Sequence, residues 1–171
     1  MRASKALREA GDRALALNAF THASEFYRAA LERMPDDDSE RPQLLVRLGH
    51  ADFRARGAGA EILEQAVAGL VAAGEREAAA EAETMLATLA WEAGDDEGRW
   101  GHLDRASELV ADAPPSRAKA VALAVRARHL YLAGHYARAL DGGRTVLAMA
   151  ESLRLEEIRA QRSEPGGHGP A

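Results

Sequence analysis

Apolar side chains recur every three or four positions along this chain, in stretches broken by short polar turns; this is the spacing of amphipathic helices, not of strands. Ala23, Tyr27, Ala30 and Leu31 share one face, which predicts a helix that starts near Phe20 and stops at Pro35. On the stretch before it, Leu7, Ala10, Gly11 and Ala14 form a second face of unusually small residues. Two antiparallel helices pack closely only where one leaves room for the other, so Ala or Gly opposite Tyr or Leu dictates the pairing.

The layout repeats. Leu45, Leu48 and Gly49 open a second unit that turns at Arg56-Gly57-Ala58-Gly59 and continues through Ile62, Leu63, Ala66, Val67 and Leu70. A third opens near Glu83, carries Leu86, Ala87 and Ala90, turns at Ala93-Gly94-Asp95, and runs through Leu103, Ala106 and Val110 to Pro114. The fourth passes through Leu123, Ala127 and Leu130, turns at Ala133-Gly134-His135, and resumes with Tyr136, Ala139, Leu140, Val146 and Leu147. The turn residues Asn18, Gly57, Gly94 and Gly134 stand 39, 37 and 40 residues apart, which marks a repeat with uneven links. Arg99 occupies a place that calls for a small side chain, and Gly143 one that calls for a large side chain. Gly142-Gly143 also interrupts a helix face, as a close helix approach or a kink would require.

Composition narrows the picture. Hydrophobic residues make up 47% of the 171 positions but aromatics only 5%, and the alanine-rich remainder favours close-packed helices over β-branched sheet. No apolar run reaches membrane-spanning length and the N-terminus leads into no signal-peptide core. With no Cys, disulfides and cysteine-metal sites are excluded and a cytoplasmic setting is expected. Of the 22 basic residues only Lys5 and Lys119 are lysines, as a GC-rich bacterial genome produces; a functional arginine surface is the other reading. A net charge of −5 with interspersed signs speaks against nucleic acid as a direct partner.

Candidate chemistry is sparse. Asp36-Asp37-Asp38 between Pro35 and Pro42 lacks the glycine and distant glutamate of a calcium loop and reads as a solvated loop, with Ser39 capping the next helix. Asp95-Asp96-Glu97-Gly98 fails the same test. The six histidines form no His-x3-His pair, and neither a G-x-S-x-G elbow nor a phosphate-binding loop occurs. An enzyme is therefore not expected, and neither is a metal or cofactor.

The paired faces carry a family resemblance. Ala23-x3-Tyr27 and Pro35 match the second half of the tetratricopeptide (TPR) pattern, while Leu7 stands for its opening Trp and Ala10-Gly11 for its Leu-Gly pair. The chain is similar, over roughly residues 4 to 155, to the TPR-like arrays of large bacterial ATPase-linked nucleotide cyclases and LuxR-type regulators, although its period exceeds the family's usual one of about 34 residues. The resemblance implies an all-α, right-handed α-solenoid of four antiparallel helix pairs plus a short terminal helix. It also implies that the first helix of each unit lines a concave groove. The groove residues would be Lys5, Arg8 and Asp12; Arg47, His50, Phe53 and Arg54; Met85, Thr88 and Trp91; and Arg128 and Tyr131.

Such a groove, with Phe53, Trp91 and Tyr131 flanked by arginines, would suit a peptide with apolar anchors and acidic neighbours; packing between repeats is the other role open to these aromatics. Members that clamp a chaperone's terminal carboxylate present Lys and Asn where this chain has Arg8, Asp12, Val46 and His50. The expected function is a non-catalytic scaffold that binds a protein or peptide segment. The alternative is a detached sensor arm coupled to neighbouring domains of a signalling ATPase-cyclase or LuxR-type regulator. Residues 1–162 form the helical domain and 163–171, rich in Gly and Pro, a disordered tail. Only Arg154 to Arg162 is left to cap the last apolar face, so the sequence reads as a piece of a longer array.

Overall fold

The structure, a computed structural model, describes the backbone of residues 2–163 and the side chains of residues 3–154. Among the described residues there are eight helices, which account for about three quarters of the chain, and no strand. They are α1 (Arg2–Ala16), α2 (Phe20–Leu31), α3 (Arg41–Arg56), α4 (Ala60–Ala72), α5 (Arg76–Glu92), α6 (Asp96–Leu109), α7 (Arg117–Leu132) and α8 (Tyr136–Ser163). They fold into two compact units, Met1–Ala111 with α1 to α6 and Asp112–Ala171 with α7 and α8. Four antiparallel pairs result, as the hydrophobic pattern requires.

One turn design recurs. Asn18, Gly74, Gly94 and Gly134 adopt φ of 57°, 77°, 75° and 81°, the left-handed conformation in which Gly and Asn meet least resistance. In each case the next N–H reaches back into the preceding helix: Ala19 to Ala14 O, Glu75 to Leu70 O, Asp95 to Ala90 O and His135 to Leu130 O, at 2.8–2.9 Å. These bonds satisfy carbonyls that a helix end leaves open. Helix starts are fixed by Asp95, whose side chain accepts from Gly98 N, and by Ser116, which accepts from Lys119 N.

Within the first pair the Tyr27 ring lies directly over Gly11, so that a β-carbon there would stand 2.6 Å from Cδ1. Gly49 takes the side chain of Leu63 in the same way, and Gly69 that of Pro42. One core gathers Ala14, Ala23, Tyr27, Ala30 and Leu31 with Leu44, Leu48 and Ala51 of α3; another joins Leu63 to Ala82, Leu86 and Leu89 of α5. Tyr27, Leu44, Leu63, Leu70 and Leu103 are fully buried, each contributing about 1.5–3 kcal/mol of transfer free energy.

Several expectations are corrected. α2 ends at Leu31, four residues before Pro35, and α5 begins at Arg76 instead of near Glu83. The separate terminal helix is instead the end of α8, which continues unbroken through Gly142-Gly143 to Ser163. Gly142 allows a close approach, since a β-carbon there would lie 3.2 Å from Ala127 Cβ. Arg99, in the place of a small residue, is buried with its guanidinium 4.7 Å from the Trp100 ring and an ion pair to Asp96 at 3.1 Å. The expected disorder of 163–171 concerns residues that, beyond Ser163, lie outside those described.

Candidate functional site

In the first unit, charged side chains of the first helices neutralise one another. Arg47 of α3 donates to Asp12 of α1 at 2.5 Å, and the same carboxylate oxygen accepts from the Tyr27 hydroxyl at 2.9 Å. Burial, reinforced by the Asp12 carboxylate, pushes the Tyr27 phenol well above its usual range. Arg8 pairs with Glu40 and Gln43 with Glu75. Arg8, Glu40, Gln43, Arg47 and Glu75 line one crevice of 390 Å³. Two of the expected groove cations, Arg8 and Arg47, therefore share one crevice, but each is engaged by a carboxylate.

The other expected groove residues of this unit are used internally to differing degrees. Phe53 and Met85 are half-buried against the core around Leu63, Leu86 and Leu89. Arg54 is exposed and stacks 5.1 Å from the Phe20 ring. His50 is half-buried, and burial together with the nearby Arg54 charge lowers its pKa from 6.5. Trp91 is exposed near the end of α5. Lys5 is exposed at the start of α1, and Thr88 donates to Thr84 O within α5.

Two buried carboxylates have no sequence motif to announce them. Asp52, 1% exposed, accepts from Ser24 Oγ at 2.5 Å, Arg28 Nη2 at 2.9 Å and Arg56 Nη2 at 2.7 Å. Glu83 accepts from Arg105 Nε at 3.0 Å and lies 2.6 Å from His102 Nδ1. Both tie neighbouring helices together. Because every carboxylate oxygen is engaged by a cation, imidazole or hydroxyl, the arrangement suits structural cross-linking better than proton transfer. Among the described residues no His, Asp and Glu cluster is placed to hold a metal ion, and no helix is long and apolar enough to cross a membrane.

The second unit presents a different surface. Tyr136, Leu140 and Leu147, expected in the fourth unit's core, are 59%, 64% and 65% exposed, and Tyr131 of α7 is 61% exposed. Tyr131 and Tyr136 meet edge to face at 5.4 Å. With Ala127, Ala139, Gly143 and Arg144 they line an almost wholly apolar groove of 380 Å³ between α7 and α8. The physical reason for the difference is that within this unit α7 and α8 have only each other to pack against, while Gly143 leaves a hole where a large side chain was expected. Arg128, the other expected groove residue of this unit, is exposed on α7 three positions before Tyr131. The signal available in the sequence was Gly143 itself, a missing knob flanked by Leu140 and Leu147.

No protein-family model matches the chain, and no curated protein matches it. Among solved structures it is similar to BtubC (BKLC) from P. vanneervenii, with a TM-score of 0.68 at 22% identity over 83% of this chain. The chain spans 60% of the length of BtubC. At this identity the likeness supports the fold: an all-helical architecture of successive antiparallel pairs.

Proposed function

We propose that the chain is a non-catalytic, TPR-like interaction scaffold that holds a segment of a partner protein. The observation that carries this reading is the exposed apolar groove of α7 and α8, where Tyr131, Tyr136, Leu140 and Leu147 stand together in solvent. Exposed aromatic and aliphatic side chains gathered at a concave surface are what a protein interface requires. The cations Arg8 and Arg47 are engaged by carboxylates within the first unit and do not carry this reading. The cysteine-free, arginine-rich composition fits a bacterial cytoplasmic protein.

The test is cross-linked capture from cells of the source species, comparing the full chain with Tyr131→Ser/Leu147→Ser. The scaffold reading predicts a partner retained by the unaltered chain and lost by the double variant. Identical captured sets would contradict it.

A further inference from the structure

The molecule already contains two examples of what fits such a groove. Leu44, Leu48 and Ala51 of α3 lie over Ala14 of α1 and Ala23, Tyr27, Ala30 and Leu31 of α2. Ala82, Leu86 and Leu89 of α5 gather in the same way around Leu63 of α4. Both stripes have the spacing i, i+4 and i+7, one face of a helix. Counted from the turn residues Asn18 and Gly134, the positions of Ala23, Tyr27 and Leu31 are occupied on α8 by Ala139, Gly143 and Leu147. Tyr27 is fully buried and Leu31 8% exposed, whereas Leu147 is 65% exposed. At Gly143 a β-carbon would meet nothing within 4 Å, so the volume that the Tyr27 ring fills in the first pair is open in the fourth.

Charge completes the description of the occupant. Residues 112–171 hold nine basic and six acidic side chains, whereas residues 1–111 hold thirteen basic and twenty-one acidic. Arg144 lines the groove and Arg128 is exposed on the adjoining helix. Asp141, 3.7 Å from Arg144 and 85% exposed, neutralises it only weakly. A second copy docking through the same face would bring the two sets of arginines together.

We propose that the α7–α8 groove is a docking site for an acidic amphipathic helix from a partner protein. Its aliphatic side chains recur at i, i+4 and i+7, one of them filling the hole above Gly143, and its flanking carboxylates face Arg128 and Arg144. This inference rests on the scaffold reading and names the class of segment that the scaffold holds.

The probe is a fluorescent synthetic peptide with the sequence of residues 76–92, which combines the Ala82, Leu86 and Leu89 stripe with Glu77, Glu81, Glu83 and Glu92. It is titrated against the full chain and against Gly143→Leu, a position where an added β-carbon meets nothing within 4 Å. The expected result is saturable binding, weakened about tenfold or more by Gly143→Leu with the melting temperature maintained, as befits an anchor pocket. Replacing the four glutamates of the peptide by Gln should weaken binding several-fold at low salt. Equal affinity for both chains, or no loss with the Gln peptide, overturns the proposal. So does light scattering that shows a dimer which Gly143→Leu converts to monomer, because the occupant is then a second copy. If the peptide fails to bind while Tyr131→Ser/Leu147→Ser still loses a captured partner, the helix class is wrong and the scaffold reading stands; failure of both removes both.

Discussion

The Tyr27 ring rests on the backbone of Gly11, leaving no room for even one carbon between α1 and α2. The contact sets the distance at which the first pair closes and carries the Tyr27 hydroxyl to Asp12. Gly11→Ala would gain about 1 kcal/mol of helix propensity but force a buried ring out of place, at about 1–3 kcal/mol or more. A net loss of stability is expected, read as a lower urea midpoint. Gly143→Ala, where the added carbon meets nothing, should instead raise the midpoint through propensity alone.

Asp52 joins α3 to α2 through Ser24 and Arg28. Asp52→Ala leaves a buried hydroxyl without its acceptor and two arginines with only water, and should cost about 2–3 kcal/mol. Ser24→Ala should cost about 1 kcal/mol. Because the two residues share one contact, their effects in a double-mutant cycle should be markedly less than additive.

Phe53 belongs to the core around Leu63 and Leu86. Phe53→Ala is expected to cost about 2 kcal/mol, below the range for a fully buried ring because the side chain is half-exposed. Arg54→Ala, on an exposed residue stacked over Phe20, should cost no more than about 1 kcal/mol. Paired urea titrations distinguish the two, and equal effects would place Phe53 at the surface.

The chain should lose stability on mild acidification. His50 has its folded pKa depressed below 6.5 by burial and by Arg54, so between the depressed value and 6.5 the unfolded chain binds more protons than the folded one. Stability contributed by the neutral imidazole is therefore present above 6.5 and lost as pH falls through that window. In His50→Gln the difference between urea midpoints at about pH 7.5 and 5.5 should shrink; an unchanged difference would assign the sensitivity to other groups.

Much of the pairing was legible in the sequence because it is written in local signals. Asn18, Gly94 and Gly134 mark left-handed turns, and Ala23 and Tyr27 mark the face that meets Gly11. The start of α5 was missed because the alanine run at 78–80 has no periodicity, although Gly74 carried the same turn signal as Gly94. The Asp52 and Glu83 networks join residues 19 to 28 positions apart as well as local partners. Such partners become neighbours only once the helices are packed, so no motif could show them. The α7–α8 groove was legible only in part: Gly143 marks a missing side chain, but Leu140 and Leu147 have the spacing of core residues, and their exposure is seen only in the structure.

The most direct measurement of the central claim, that this apolar face serves an occupant and not the chain's own core, is the thermal unfolding of Leu140→Ser/Leu147→Ser. Both side chains are nearly two thirds exposed, so replacing them should leave the melting temperature within about 2 °C of the unaltered chain. A fall of about 8 °C or more, the size expected of buried leucines, would show the face to be part of the core and contradict the account.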